Sequence, residues 1–419
     1  MKTVQVAIVT GQALAILIPV LQYRPANVVL LLSEVMKNKG EGEHLRQLLI
    51  KHCNLKESDV RVVEGLPDHN YDSIVDYIMN LSDDLNDEFE PKNITYNITG
   101  GNKLMAAAVL EVIEGEPCRA IYNDTANNQI EFIRPGSDRK VEPMKTLLTI
   151  ESSLAATHKT LRKHALDDWE QAALSRKALT FWLANNVRPK SLEEGKDSPL
   201  QHFLGVINRE ARAPLDEINN KRNVKPSGLT VKLNQAPRGG WFYDFKRLSG
   251  DKLINWSDEK PDYVCFQDES SLRYFGGGGW MEEYAWLVGK EAGCDEVLAN
   301  VEVTDDIKKS ANVRNELDVI LRKGNRIVIV ECKTGKMGSD ANKDQNMIYK
   351  LDSIGKQIGL FTEKVLLSSR RLDRDAGKFK VHNSERAKSH EIIAFDADKL
   401  PEFENWVKLW VEGKLYPVS

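Results

Sequence analysis

Short apolar runs alternate with amphipathic stretches from residue 4 onward. VQVAIV (Val4–Val9), VVLLL (Val28–Leu32), VRVVE (Val60–Glu64), ITYNI (Ile94–Ile98), RAIY (Arg119–Tyr122) and IEFI (Ile130–Ile133) have the length and β-branched content of strands. Between them, apolar residues recur at helical spacing over Ala13–Gln22, Glu43–His52, Tyr71–Leu85 and Lys103–Glu114. Strands buried on both faces and joined by helices predict a mostly parallel, doubly wound sheet. Such sheets bind ligands beyond the carboxyl ends of their strands. The residues at those ends are Thr10-Gly11-Gln12, Ser33-Glu34 and Thr99-Gly100-Gly101-Asn102-Lys103.

A second pattern begins after residue 262. The glycine run Gly276–Gly279 leads into a predicted helix, Trp280–Glu291, with Trp280, Tyr284, Leu287 and Val288 as its apolar stripe. That stripe leaves Glu282 and Glu283 pointing in different directions. A strand at Val297–Val303 follows. Then Leu317–Leu321 and Arg326–Glu331 flank the turn Arg322-Lys323-Gly324-Asn325, which predicts a β-hairpin. A helix over Ala341–Ile358, strands at Val365–Ser368 and Ile392–Phe395, and a final helix Pro401–Val411 complete the series. The stretch between the two patterns is the least periodic. Ser152–Asn185 reads as helical on Leu154, Leu161, Trp169, Leu174, Leu179 and Trp182, and short strands are predicted near Leu229–Leu233 and Trp241–Phe245. The fold class is therefore α/β: a parallel-sheet domain at 1–150, a linker with a small mixed segment at 151–262, and a second α/β domain at 263–419.

Composition changes little in this picture. The 419 residues suffice for two or three full cores, and a net charge of −4 gives no whole-molecule field for nucleic acid. Basic residues are dense locally, in Lys221–Arg247 (Arg222, Lys225, Lys232, Arg238, Lys246) and in Arg370–Lys388 (Arg371, Arg374, Lys378, Lys380, Arg386). Most such clusters are solvated faces, so they permit phosphate binding without requiring it. Trp241, Phe242 and Tyr243 suit base stacking, and suit a half-buried strand better. Five cysteines without a CxxC, and eight histidines without HxH or HExxH, indicate neither a disulfide framework nor a zinc site, as expected of a cytoplasmic protein. The first 21 residues look superficially like a signal peptide. Thr10-Gly11-Gln12 interrupts the apolar run, Pro19 follows and the basic region is one lysine, so a strand-turn-helix is expected. No stretch is apolar over a length that spans a membrane.

Two places carry chemistry. Side chains alternate along a strand, so Glu316 and Asp318 share one face of the hairpin, and Glu331 and Lys333 share one face. Buried carboxylates are costly unless something compensates them, and a divalent cation with hard oxygen ligands does so. The same residues also fit a solvated hairpin end. At the other place, Gly100 and Gly101 let a ligand approach the backbone, the following helix presents unpaired N–H groups, and Lys103 adds a charge suited to phosphate. An ordinary tight turn capped by Asn102 fits this stretch as well. Neither GxGxxG after the first strand nor GxxxxGK[ST] occurs, which argues against a standard NAD site and excludes an ATPase P-loop.

Asp318 followed after an apolar hairpin by Glu331-Cys332-Lys333, with a helix ahead of it, resembles the PD-(D/E)XK nuclease core. Leu317 stands where that family has a proline. The resemblance implies Mg²⁺ or Mn²⁺ held by Asp318, Glu331 and the carbonyl of Cys332, with Glu282 as a further acid and Glu283 as its alternative. Lys333 would orient the attacking water and stabilise phosphoryl charge. Gln345 and Lys350 are further candidates for phosphate. Thr10-Gly11-Gln12 and Asn97-Ile98-Thr99-Gly100-Gly101-Asn102-Lys103 resemble the CRISPR-associated Rossmann-fold (CARF) sensor domain. That domain implies a homodimer whose paired pockets bind a cyclic oligoadenylate, with cyclic tetra-adenylate as the activator. Thr10, Gly11, Gln12, Ser33, Thr99, Gly100, Gly101, Asn102 and Lys103 are the expected ligand contacts. Together the two halves resemble the CRISPR type III ancillary nucleases of Card/Can type, implying cleavage of DNA or RNA. Two other function classes fit the same residues: a ligand-responsive regulator that binds nucleic acid without cutting it, and an enzyme degrading the cyclic nucleotide itself.

Overall fold

The computed structural model describes residues 2–125, 127–133, 140–145, 147–188, 198–219, 229–251, 253–306, 314–335, 341–358, 362–375 and 380–414. The predicted positions Lys221, Arg222, Lys225 and Lys378 lie outside these. Two compact units are formed, Met1–Leu161 with Thr304–Val313, and Arg162–Val303 with Arg314–Ser419.

Unit one alternates strand and helix as expected. Its elements are β1 (Val4–Ile8), α1 (Leu14–Tyr23), β2 (Asn27–Ser33), α2 (Glu34–Asn38), α3 (Glu41–Cys53), β3 (Val60–Leu66) and α4 (Tyr71–Glu88). They continue through β4 (Ile94–Asn97), α5 (Lys103–Val112), β5 (Arg119–Asp124), β6 (Gln129–Ile133), β7 (Lys140–Pro143) and α6 (Ile150–Ala155). The sheet order is β3-β2-β1-β4-β5-β6-β7. Strands β1 to β5 pair in parallel, and β6 and β7 add antiparallel. Burial follows the two-residue period. Val4, Val6 and Ile8 join Ile74, Ile78, Met105 and Val109 of α4 and α5, whereas Ala7 and Val9 join Ile16, Leu45 and Leu49 of α1 and α3. Both faces are covered, which is why β1 and β2 read as nearly continuous apolar runs.

The predicted helix Ser152–Asn185 is broken. After α6, His158 takes a left-handed φ of 56° and Lys159–Lys163 forms β8 before α7 (Asp167–Asn186) begins. The pattern KTLRK supplied one apolar position that fits either period, so spacing alone misplaced it. Unit two then runs α8 (Pro199–Glu210), α9 (Arg212–Asn219), β9 (Thr230–Lys232), α10 (Gly240–Gly250), β10 (Ile254–Asn255), β11 (Tyr263–Phe266), α11 (Glu269–Gly276) and α12 (Gly279–Ala292). The predicted strand at Trp241–Phe245 is the helix α10. Its core contacts, Phe245 and Leu248, are three residues apart, while Tyr243 two residues ahead of them is 72% exposed. A run of aromatics mimicked strand alternation there.

The remaining elements are β12 (Glu296–Asp305), β13 (Arg314–Lys323), β14 (Arg326–Lys333), α13 (Ala341–Ile358), β15 (Thr362–Ser368), β16 (Asp373–Asp375), β17 (Lys380–His382), α14 (Asn383–Ser389), β18 (Ile392–Phe395) and α15 (Glu402–Val411). The sheet order is β18-β15-β14-β13-β12-β8. Strands β13 and β14 form the predicted hairpin, with Val319 opposite Val330 and Leu321 opposite Val328. Gly324 takes the left-handed φ of 63° in its two-residue turn. Helix α12 packs on this hairpin. From Trp280 to Gly289 it is buried except at Glu282, so it is a central helix rather than a one-sided amphipathic one. The segment after Arg371, expected as a charged loop, contains the β16–β17 hairpin and α14.

Candidate active site and ligand-binding edge

In unit two, α12 and the β13–β14 hairpin bring Glu282, Asp318, Glu331, Cys332 and Lys333 together. Asp318 lies on β13 and Glu331 on β14. Asp318 Oδ2 accepts a hydrogen bond from the Cys332 backbone N–H at 2.6 Å. Glu331, 7% exposed, pairs with Lys333 Nζ at 2.6 Å, two residues along the same strand face. Gly278 at the head of α12 has φ 80°, and a Cβ there would overlap the Thr334 side chain, so glycine allows α12 to begin against the end of β14. Asn208 Nδ2 donates to Thr334 Oγ1 at 3.3 Å, and Ser369 N–H to the Lys333 carbonyl at 3.0 Å.

The carboxylates strain against each other. Burial first, then the charge of Asp318, pushes Glu282 up to about 8, with Glu331 adding to it and Lys333 opposing. Burial and then Glu331 push Asp318 up to about 7. Burial would lower Lys333, but Glu331 and Asp318 outweigh it and hold the lysine above its usual range. The Cys332 thiol is driven up by burial and by Asp318 and Glu282, so it stays protonated and offers no thiolate ligand.

This donor set fits a divalent cation of the Mg²⁺ or Mn²⁺ kind, since hard carboxylate oxygens and a backbone carbonyl are what such ions take. Among the described residues no group of three or more His, Cys, Asp or Glu side chains stands arranged to hold a metal ion. Instead the Cys332 N–H and Lys333 hold Asp318 and Glu331. Glu283 is turned away and pairs with Arg176 of α7. Glu316 is exposed, and its backbone carbonyl accepts from Lys350 Nζ at 3.3 Å. Lys350 also draws Asp318 down. Gln345 is bonded to the Tyr349 hydroxyl at 2.6 Å.

In unit one, β1 lies between β2 and β4, so the strand order reverses beside it and leaves a crevice at the carboxyl edge. The end of β2 brings Ser33 to that edge, and the loops after β1 and β4 bring Thr10 and Thr99. Thr10 Oγ1 accepts from the Gln12 N–H at 2.9 Å, and Thr99 Oγ1 from the Asn123 N–H at 2.8 Å. Each oxygen already accepts, so each hydroxyl offers its proton to a ligand. Gly11, Gln12, Gly101, Asn102 and Lys103 are exposed, whereas Ser33 is 4% exposed. A Cβ at Gly100 would overlap the Ile8 carbonyl and the Thr10 methyl, so this glycine lets the β4–α5 turn close onto β1. Asn102 caps α5 through the Met105 N–H at 3.1 Å and donates to the Asp68 carbonyl at 2.8 Å. Lys103 follows the cap, where the helix dipole disfavours a cation unless an anion is bound there too.

Sequence reasoning placed Asn97 in the sensor motif without its role and missed the other residues that brace these sites, Asn123 and Arg176. Asn97 and Asn123 both donate to the Ala15 carbonyl, at 2.9 and 2.8 Å, and Asn97 Oδ1 accepts from the Thr99 N–H at 3.1 Å. Their signal is a Tyr-Asn pair at the carboxyl end of β4 and one residue short of the end of β5, polar residues closing apolar strands. Arg176, an arginine on the buried side of α7, carried no such signal.

Comparison with known proteins agrees with this division. A Card1 CARF domain model matches residues 4–152, and a Card1-like endonuclease domain model matches residues 268–413. The crystal structure of protein VC1899 from Vibrio cholerae shares the fold at 18% identity and a TM-score of 0.76, covering 98% of both chains. Can2 from Sulfobacillus thermosulfidooxidans, solved in complex with cyclic tetra-adenylate, does so at 20% identity and a TM-score of 0.70, covering 98% of this chain and 97% of its own. No curated protein matches. With a CARF domain ahead of an endonuclease domain, and the parallel sheet and acid-bearing hairpin in the corresponding units, the chain belongs to the CRISPR-associated CARF nucleases of Card1 type.

Proposed function

We propose that the chain is a metal-dependent nuclease of the PD-(D/E)XK type, switched on by a cyclic oligoadenylate. What carries this reading is the approach of three acids at the end of the hairpin: the charges of Asp318 and Glu331 raise Glu282, that of Glu331 raises Asp318, and Lys333 faces them. Asp318, Glu331, Glu282 and the Cys332 carbonyl would hold Mg²⁺ or Mn²⁺. Bound there, the cation would acidify a water ligand and polarise the scissile phosphate. Lys333 stays protonated beside Glu331, so it serves as a donor rather than a base. It orients the attacking water and stabilises charge gathering on the phosphoryl oxygens. Lys350 lies near enough to Asp318 to add a second positive charge for the nucleic-acid backbone.

The sensor edge supplies the switch. Hydroxyl protons from Thr10, Ser33 and Thr99, the Gln12 amide, and Lys103 at a helix N-terminus suit phosphodiester oxygens. Gly11, Gly100 and Gly101 let backbone come close, and Asn102 sets the helix that presents Lys103. Two such edges in a homodimer would clamp a two-fold ring, and the ligand of the Can2 complex favours cyclic tetra-adenylate. The ligand activates only as far as it binds the cutting-competent arrangement more tightly than the resting one.

Cleavage of supercoiled plasmid and labelled single-stranded RNA, with and without Mn²⁺ and cyclic tetra-adenylate, tests the proposal. Cutting is expected only with both, and Asp318→Asn and Glu331→Gln should each lower it at least a thousandfold with fold and dimer intact. Undiminished cutting by both variants would remove these acids from the site. No cutting under any condition, with tight ligand binding retained, would favour a non-catalytic regulator.

A further inference from the structure

Helix α12 carries two consecutive glutamates with opposite surroundings. Glu282 faces the carboxylate cluster, and Glu283, 2% exposed, faces α7. Neighbouring helix residues point about 100° apart, so whatever holds one of them in place aims the other. Arg176 holds Glu283 by both oxygens. Its Nε donates to Oε2 at 3.2 Å and its Nη2 to Oε1.

The guanidinium is itself fixed on every side. Nη1 donates to Ser270 Oγ at 2.9 Å, on α11. The group lies over the Tyr274 ring at 4.8 Å, and the Tyr274 hydroxyl is bonded to Thr180 Oγ1 at 2.9 Å, one turn further along α7. Arg176 is 8% exposed, and edge-on pairs Trp169–Trp286 and Phe181–Tyr284 pack the two helices above and below it. At the head of α12, Gly278 gives no side-chain cap, so lateral contacts must set the rotation of the helix. A lysine in place of Arg176 would offer one point charge where the forked guanidinium makes two parallel contacts and a stack.

We infer that Arg176 is a positioning residue for the nuclease reaction: by gripping Glu283 it sets the rotation of α12 that aims Glu282 into the metal site. Arg176 touches neither metal nor substrate. The inference rests on the proposed role of Glu282, and the test separates the two.

Removing Arg176 alone would strand a buried carboxylate, so the main variant is Arg176→Met with Glu283→Gln, which removes both charges. Arg176→Lys is the second, keeping the charge and losing the fork. Mn²⁺ binding by titration calorimetry without nucleic acid, and single-turnover cleavage against Mn²⁺ concentration, are measured in each. Both variants should bind Mn²⁺ at least fivefold more weakly, and cleavage should recover as Mn²⁺ is raised. Introduced into Glu282→Gln, the pair change should alter either quantity by less than twofold, because two changes acting through one group are not additive. A folded pair variant with unchanged Mn²⁺ affinity overturns the inference, and so does a full-sized further loss in the Glu282→Gln background. Glu282→Gln that binds Mn²⁺ and cuts like the unaltered chain overturns the role of Glu282, and the inference falls with it.

Discussion

Stability of the metal-free protein should fall as pH rises, and the carboxylate cluster sets by how much. Asp318 moves from 3.8 to about 7 and Glu282 from 4.5 to about 8. Below about pH 3 both are protonated in folded and unfolded chains alike. Between there and pH 7 to 8 the folded chain keeps protons that the unfolded chain has released, so each rise in pH favours unfolding. A tenfold difference in proton affinity between folded and unfolded chains is worth about 1.4 kcal/mol, which puts each group's full swing at about 4–5 kcal/mol at most; because each charge raises the other, the swings do not add. Between pH 5.5 and 8.5 about 3 kcal/mol remains to be lost, a fall of roughly 6–12 °C in the melting temperature of a unit this size. The assay is thermal melting in EDTA across that range, comparing the unaltered chain with Glu282→Gln/Asp318→Asn. The double variant keeps every other titrating group, so the difference in slope isolates the pair. Added Mn²⁺ should raise the melting temperature of the unaltered chain, and more at pH 8.5 than at 5.5, because the ligands must be deprotonated to bind it. Equal slopes for the two proteins, or a relative gain in stability of the unaltered chain with rising pH, would refute the electrostatic account of the site.

Gly100→Ala should destabilise unit one by about 1–3 kcal/mol, because its Cβ would overlap the Ile8 carbonyl and the Thr10 methyl. The displaced Thr10 and Thr99 should weaken cyclic tetra-adenylate binding at least tenfold by calorimetry, while Gly11→Ala, with nothing within 4 Å of the added carbon, leaves stability unchanged within about 0.5 kcal/mol. In unit two, Asp352 faces Lys364 Nζ at 2.7 Å, Lys356 Nζ at 2.9 Å and His390 Nδ1 at 3.0 Å, and these bonds outweigh burial to hold it down at about 2. Its stabilisation is present above pH 4 and lost as pH falls through 2, so Asp352→Asn should cost about 2–3 kcal/mol in denaturant melts at pH 7. No cost at pH 7 would show that these three partners do not depend on it.

The parallel sheet was legible because β1, β2, β4 and β5 are buried on both faces, so apolar runs mark them without knowledge of their neighbours. The hairpin was legible for a related reason: Val319, Ile320 and Leu321 pair with Val330, Ile329 and Val328, and a glycine turn joins them. Lys159–Lys163 and Trp241–Phe245 were misread where a short window fits both periods. In those stretches the partners are distant in sequence: buried Lys159 pairs with Asp305 at 3.7 Å, and Phe245 packs edge-on against Phe203. Asp318, Glu331 and Lys333 could be read because one strand pair presents them. That Glu282 rather than Glu283 joins them depends on Arg176, more than a hundred residues away along the chain, and no local pattern records that pairing.

Buried acids are not rare in unit two, so burial alone does not single out a site. Glu283, Glu363, Asp396 and Glu404 are all raised, and burial is the largest cause for each. What differs is the next influence. For Glu283 it is the hydrogen bond from Arg176, for Glu363 the charge of Arg326, for Asp396 the Leu372 N–H, and for Glu404 the Tyr284 hydroxyl, and every one of these draws the acid back down. For Glu282 the next influence is Asp318, and for Asp318 it is Glu331, both of which push the acid further up. A fold selected only for stability would replace one of three mutually repelling acids or supply the missing cation from its own side chains, as it does around Asp352. Here Lys333 answers only part of the charge. What is left is a set of hard oxygens where β13, β14 and α12 meet, which is what the proposed divalent cation would answer.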